Sequence, residues 1–245
     1  RNWYGFKVNH INYLDFTQKL QLVIFPTDII FGLCYCSDMN EQIQLNNGRC
    51  IPQLGLGTWK LTGNDCYQAV RHALKIGYRH IDTASIYQNE LQVGKAIEHS
   101  GIARDEIFVT TKLWNDDHDD PRRALQKSLE RLGIEYVDLY LIHWPVPERQ
   151  QSYRALELLN KDGLTKSIGV SNFTIDHLEA LLQSTNVPPV INQVEFNPFL
   201  YQKELLDYCR EKDIVLEAYS PITHAKKLDY PPLKEIADKY SKSAA

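Results

Sequence analysis

The sequence predicts an α/β barrel of the TIM type, (β/α)8, preceded by a β-hairpin. Short apolar runs alternate with amphipathic segments at intervals of roughly 20 to 35 residues, which is typical of right-handed β-α-β units and a parallel sheet buried on both faces. Polar side chains also follow six successive apolar runs, at Asp82, Lys112, His143, 171–172, Gln193 and 219–220. Polar groups in a ring at the strand ends favour a closed barrel, because an open sheet concentrates its site where the strand order reverses.

The strands are read from the hairpin onward. An Asn-Gly pair at 47–48, between short apolar pieces, predicts a hairpin turn just after Gln44. The first barrel strand begins near Leu54. The later strands are predicted at residues 79–81, 107–110, 137–142, 167–170, 190–194 and 214–218.

Helices are predicted in the intervals between the strands. Residues 66–76 place apolar side chains on one face, and Asp120 followed by Pro121 is typical of a helix N-cap with proline at the first helical position. Gly133 and Gly163 stand where helices should end. A last helix is predicted at 233–243.

The number of units predicts an incomplete barrel. Seven strands, each followed by a helix, are counted from Leu54, and about 207 residues from Met39 onward fall short of the roughly 250 typical of this barrel. We therefore expect the eighth β/α unit to be missing at the C-terminal end.

Residues 1–38 differ in composition from the rest of the chain. Eight of the 26 aromatic residues fall in this stretch, which precedes the single methionine, Met39. This shift predicts a boundary with an upstream segment at 1–38, outside the fold, and a truncated barrel at 39–245. The upstream segment could be an in-frame extension or part of another domain.

Composition and charge exclude several classes of protein. Hydrophobic residues make up 43% and charged residues 24% of the chain, and the net charge of −4 has no long basic run, so we expect no nucleic-acid partner. Residues 20–36 contain Pro26 and Asp28 and are too few for a membrane span. Five scattered cysteines and no secretion signal favour the cytoplasm. The acidic run at 115–120 lacks the glycine and distal glutamate of a calcium loop, so no metal is predicted.

Seven short motifs, found in order along residues 39–245, resemble the aldo-keto reductase family. They are GLGTWK at 55–60, GYRHIDTA with YQNE at 77–90, TKLW at 111–114, DLYLIHWP at 138–145, IGVSNF at 168–173, NQVE at 192–195 and AYSP at 218–221. Each motif alone is weak, but seven in the family's order are specific.

The resemblance implies that Asp82, Tyr87, Lys112 and His143 are the catalytic residues for reducing aldehydes or ketones to alcohols. Tyr87 would donate the proton to the carbonyl oxygen, and a nearby cation is useful because a free tyrosine is a poor acid at neutral pH. Lys112 would be that cation, with Asp82 as its counter-ion. His143 would orient the carbonyl by a hydrogen bond.

The resemblance also implies a nicotinamide cofactor and a small carbonyl substrate. Ser171, Asn172 and Gln193 would hold the nicotinamide carboxamide, Tyr219 would stack on the ring, Thr58 and Asp82 would lie on the ribose side, and Ser220 would begin the loop along the pyrophosphate. Trp59 and Trp144, together with His143, would form the substrate pocket. NADPH is expected from the family, but NADH stays open because the segment that binds the 2′-phosphate is absent.

Two other functions stay open from the residues alone. Lys112 at a strand end could form a Schiff base in an aldolase. Alternatively, the chain could be a non-catalytic regulatory subunit that binds the same cofactor. The family resemblance favours a monomeric reductase when the barrel is complete, although the truncated chain should bind its cofactor weakly.

Overall fold

Seven parallel strands form most of a closed barrel in this computed structural model, which describes residues 21–24 and 41–244. The strands, in chain order, are β1 (Gln21–Ile24), β2 (Gln42–Gln44), β3 (Cys50–Pro52), β4 (Leu54–Gly57), β5 (His80–Asp82), β6 (Phe108–Leu113), β7 (Val137–Ile142), β8 (Thr165–Ser171), β9 (Ile191–Glu195) and β10 (Val215–Tyr219). Strands β4 to β10 pair in sequence order, each parallel to the next. The predicted α/β barrel with seven parallel strands is confirmed.

Strand β1 occupies the position between the first and last parallel strands. It runs antiparallel to both, with Gln21 opposite Gly57, Ile24 opposite Leu54, and Ile24 also opposite Ala218. Four residues of the predicted upstream segment 1–38, those of β1, lie in the ring of strands. The rest of 1–38 lies outside the described residues, and the boundary at residue 39 stays a prediction.

The predicted hairpin, β2 with β3, covers the N-terminal end of the barrel. Gly48 in its turn has φ +80°, in the left-handed region that glycine adopts without strain. Asn46 Nδ2 donates to the carbonyl oxygens of Pro189 and Asp213, which precede β9 and β10. Leu45 and Ile51 pack with apolar side chains from the strands, so the hairpin closes the bottom of the core and leaves the opposite end open.

Seven helices surround the strands in the described part of the chain. They are α1 (Gly63–Lys75), α2 (Glu90–Glu98), α3 (Pro121–Leu132), α4 (Arg149–Lys161), α5 (Ile175–Leu182), α6 (Lys203–Glu211) and α7 (Pro231–Lys239). None of the helices described is long and apolar enough to cross a membrane.

The predicted helix signals agree with the structure, except near the end of the chain. Asp120 accepts a hydrogen bond from the Arg123 amide at 3.0 Å, and Gly133 has φ +66° after α3. The last helix begins at Pro231, two residues before the predicted start, because proline fits the first helical turn. It ends at Lys239, four residues before the predicted end, and Ser241 beyond it is left-handed, with φ +52°.

Candidate active site

A buried ion pair joins the C-terminal ends of two neighbouring strands. Lys112 Nζ on β6 donates to Asp82 Oδ1 on β5 at 2.6 Å, and to the Thr83 carbonyl oxygen at 2.9 Å. Lys112 is 1% exposed and Asp82 is 4% exposed. Burial alone would lower the pKa of Lys112, but Asp82, with Tyr87 contributing, more than reverses this and raises it above its ordinary value. Lys112 is therefore a fixed cation, and this counts against a Schiff-base aldolase, whose lysine must lose its proton to attack.

Tyr87 lies on a single 3-10 turn, Ser85–Tyr87, above this ion pair. Its ring centre is 5.3 Å from Lys112 Nζ. Burial raises the pKa of Tyr87, and the positive charge of Lys112 opposes that rise. The Tyr87 hydroxyl therefore keeps its proton at neutral pH. If it loses that proton, the nearby Lys112 cation stabilises the phenolate.

Two residues that follow Tyr87 fix the turn on which it lies. Asn89 Oδ1 accepts from the Thr83 hydroxyl at 2.8 Å, and its Nδ2 donates to the carbonyl oxygens of Thr58 and Leu61. Glu90, fully buried, accepts from the Thr111 hydroxyl at 2.6 Å. The YQNE motif thus ties the Tyr87 turn to residues adjacent to Asp82 and Lys112, and so keeps these three predicted site residues in register.

His143 stands beside Tyr87 with its ring almost perpendicular to that of the tyrosine. The ring centres are 5.8 Å apart, and Trp114 contacts the other side of His143 at 5.2 Å. Burial, followed by the charge of Lys112, lowers the pKa of His143 to about 3. The imidazole is neutral at physiological pH, so it can donate a hydrogen bond without adding a second positive charge.

The side chains expected to hold a carboxamide form one connected network on the next three strands. Asn172 Nδ2 donates to the His143 carbonyl oxygen and to Ser171 Oγ, both at 3.0 Å, and its Oδ1 accepts from the Tyr219 hydroxyl at 2.9 Å. Gln193 Nε2 donates to Asp82 Oδ2 at 2.9 Å. Gln193 Oε1 takes no part in these contacts, and Asn172 Oδ1 has one acceptor position left beside its bond from Tyr219. A primary amide group needs such acceptors for its N–H donors.

The remaining predicted residues lie in different surroundings. Thr58 is fully buried, and its hydroxyl donates to the Asp82 carbonyl oxygen at 3.0 Å, so the structure gives it a role in holding the end of β5. Ser220 lines the pocket and has φ +52°. Trp59 and Trp144 are 37% and 42% exposed and form walls at the pocket mouth.

The pocket over these residues has a volume of about 550 Å³, which is in the usual range for small-ligand sites. Besides the predicted residues, Ile86, Trp114 and His224 line it. Sequence analysis quoted Trp114 in a motif without assigning it to the pocket, although its position directly after β6 was a usable signal.

Sequence analysis also missed the two titratable side chains beneath the ion pair, His80 and Glu217. Each stands two residues before a predicted site residue on the same strand, so a period of two directs both into the barrel interior. Among the described residues, His80, Asp82 and Glu217 form a cluster whose nearest ring nitrogen and carboxylate oxygens lie within 4.8 Å of one another. Asp82 already accepts from Lys112 and from Gln193 in this cluster.

Comparison with known proteins defines the class to which this barrel and site belong. The profile of the Aldo/keto reductase family matches residues 53–230, which is more than half of the chain. The chain is an oxidoreductase with a barrel fold, and it belongs to the aldo-keto reductase family.

Individual relatives cover most of the chain. It is 48% identical over 213 residues to the glyoxal reductase of Bacillus subtilis (strain 168), an alignment that covers 85% of this chain and 77% of that protein. The crystal structure of an aldo/keto reductase from Brucella melitensis superposes with a TM-score of 0.79 at 49% identity, covering 83% of this chain and 80% of that one. An aldo-keto reductase from Bombyx mori in complex with NADP gives a TM-score of 0.79 at 39% identity, covering 85% and 78% of the two chains.

Proposed function

We propose that this protein reduces small aldehydes or ketones to alcohols with NADPH, and that Tyr87 is the proton donor. One observation carries the proposal: a protonated tyrosine lies directly over a buried Lys112–Asp82 pair and next to a neutral histidine, at the floor of a pocket. The name of the Bacillus relative, a glyoxal reductase, supports glyoxal and related small aldehydes as the first substrates to test.

The residues present fit a nicotinamide cofactor. Gln193 Oε1 and the second acceptor position of Asn172 Oδ1 are available to a carboxamide, and the partly exposed ring of Tyr219 offers an apolar face beside them. The cofactor, when bound, supplies a hydride to the substrate carbon. The Bombyx relative, solved with NADP, supports the choice of NADPH over NADH, which the residues of this chain do not decide.

The protein's own groups handle the proton and the developing charge. Tyr87 donates its hydroxyl proton to the carbonyl oxygen as negative charge builds there. Lys112 stabilises the phenolate that remains, and Asp82 keeps Lys112 charged and in position. Neutral His143 donates a hydrogen bond that orients the carbonyl and stabilises the oxyanion.

The test is the oxidation of NADPH by the purified chain with glyoxal, methylglyoxal and larger aldehydes, followed by absorbance. Tyr87→Phe should reduce kcat by about 10²- to 10⁴-fold, the usual contribution of a positioned acid, and leave NADPH binding intact. Tyr240→Phe, a change at a tyrosine that is 65% exposed, is the matched control and should behave as the wild type. Normal turnover by Tyr87→Phe would overturn the assignment of the acid, and absence of NADPH binding by the wild type would overturn the function itself.

A further inference from the structure

Glu217 lies in the middle of β10 and is completely buried in the barrel interior. Its Oε1 accepts a hydrogen bond from Gln193 Nε2 at 3.0 Å. Its Oε2 has no hydrogen-bond partner in the described part of the chain. A carboxyl group in this setting needs an explanation, because burying a polar atom without a partner is costly.

Charge balance around Glu217 favours its neutral form. Among the described residues, the charged and titratable groups that face it are Asp82 and His80 from β5 and Lys112 from β6. The Lys112 ammonium is already paired with Asp82, so an ionised Glu217 would add an uncompensated buried charge. Burial, with the negative charge of Asp82 adding to it, raises the pKa of Glu217 to about 8, while Gln193 and Lys112 oppose the rise.

His80 does not supply the missing positive charge. Burial lowers its pKa to about 4, so the ring is neutral at physiological pH. One ring nitrogen, Nε2, is hydrogen-bonded to the Thr110 hydroxyl at 3.0 Å. The ring packs against Gly55, where an added Cβ would lie 2.5 Å from Nδ1. Glu217 therefore keeps its own proton.

The contact with Glu217 determines which way the Gln193 amide faces. An amide nitrogen has two hydrogens, and Gln193 Nε2 uses one on Asp82 Oδ2 and the other on Glu217 Oε1. With both hydrogens directed at acceptors in the interior, the amide oxygen is the atom left for a ligand. Without Glu217, one hydrogen would lose its partner and the amide could rotate.

We propose that Glu217 is a positioning residue for the nicotinamide cofactor, because its contact fixes the Gln193 amide with the amide oxygen available to the carboxamide. This inference rests on the proposed function, since it concerns the same cofactor. In this proposal Glu217 does not touch the cofactor, but it determines the orientation of the Gln193 amide, which does.

The first experiment compares two substitutions in their binding of NADPH, measured by fluorescence titration. Glu217→Gln keeps an oxygen at the position that accepts from Gln193, whereas Glu217→Leu removes it. Loss of one hydrogen bond predicts that Glu217→Leu raises the Kd about 2- to 13-fold and that Glu217→Gln restores most of this loss. The KM for NADPH should change in parallel and kcat at saturating cofactor should change less, because the proton donor is unaltered.

The second experiment uses the protein without cofactor and so does not depend on the proposed function. Infrared difference spectra between the wild type and Glu217→Gln at pH 7 should contain the carbonyl band of a protonated carboxylic acid, and this band should disappear with a midpoint near pH 8. Glu98→Gln, which alters an exposed glutamate on α2, is the control and should remove only an ionised carboxylate band. A carboxylate band alone at Glu217 would overturn the proposed neutral form.

A pH profile provides a readout that a structural role alone would not change. Ionisation of Glu217 adds a negative charge, which favours the cationic nicotinamide ring of the oxidised cofactor over the neutral ring of the reduced one. The ratio of NADP⁺ to NADPH affinity should therefore rise between pH 7 and 9 in the wild type and stay flat in Glu217→Gln.

The outcomes separate this inference from the proposed function. If the wild type binds NADPH and Glu217→Leu binds it equally well, the positioning role is wrong and the function stands. If the wild type binds no NADPH, the function fails while the infrared result still reports on Glu217. Should Glu217→Leu fail to fold, as judged by circular dichroism, the pH profile of Glu217→Gln decides the matter.

Discussion

Removing residues 1–38 tests whether the antiparallel strand β1 holds the barrel closed. A chain beginning at Met39 would lack Gln21–Ile24 and leave β4 and β10 without a neighbour on one side. The structure predicts a loss of stability and a tendency to associate through the two exposed edges. The composition boundary at residue 39 predicts instead that nothing changes.

The expected loss follows from the register of β1. Four residues of β1 face Leu54–Gly57, and in an antiparallel ladder four such pairs share roughly four backbone hydrogen bonds. Each contributes about 0.5–1.5 kcal/mol net, so the deletion should cost roughly 2–6 kcal/mol. For a chain of this size, that corresponds to a fall in Tm of about 5–20 °C.

The assay is urea denaturation followed by circular dichroism, together with size-exclusion chromatography. Deletion of residues 1–19 is the matched control, because it shortens the chain and retains β1. Val23→Pro in the full chain is a second variant, since proline removes a backbone donor from a strand paired on both sides. A Met39 chain that remains monomeric with an unchanged denaturation midpoint would refute the role assigned to β1.

Three further predictions concern the interior. Gly94→Ala should destabilise the protein by about 1–3 kcal/mol, since a Cβ would lie 2.1 Å from the Leu132 carbonyl oxygen and push α2 from α3. Lys112→Met should lower the free energy of unfolding by about 3–5 kcal/mol, because it leaves the Asp82 carboxylate buried without its counter-ion. Adding Asp82→Asn should recover part of this loss. Equal stability of the single and double variants would contradict the prediction. Because the pKa of Glu217 is raised from 4.5 to about 8 by folding, its contribution to stability is fully present below pH 4.5 and is lost as the pH rises to 8, a change of up to about 5 kcal/mol. Glu217→Gln should flatten that part of the profile measured by urea denaturation.

Local patterns were sufficient to predict the parallel strands and the polar side chains at their ends. An apolar run followed by a polar residue can be recognised within a few positions of the sequence. Asp82, Lys112 and His143 all lie at the ends of strands that the sequence located within a few residues. Parallel pairing then brings these ends to the same rim, so their proximity follows from the fold class alone. The helix cap at Asp120 was predictable for the same reason, because the donor and acceptor are three residues apart.

Features that depend on distant partners were beyond the sequence argument. The orientation of Gln193 depends on Asp82, 111 positions earlier in the chain, and on Glu217. Nothing local distinguishes a glutamate inside the barrel from one on its surface, except that Glu217 interrupts an apolar strand in phase with Tyr219. The two-residue spacing between Glu217 and Tyr219 is a usable signal. It places Glu217 inside the barrel only when Tyr219 has already been assigned to the site.

The eighth position of the barrel shows why closure was harder to predict than the parallel strands. A strand supplied by the next β/α unit must run parallel, whereas a strand from upstream of the hairpin can satisfy the same open edges by running antiparallel, as Gln21–Ile24 does. Both arrangements pair backbone groups with backbone groups, so the edges of β4 and β10 do not specify the direction of the strand that fills the gap. A count of repeating units detects the seven parallel strands but not this one, because β1 is not part of the repeat. The shift in composition placed the predicted boundary after β1. However, the unpaired edges of β4 and β10 can pair with any nearby strand, whatever the composition of the segment that contains it.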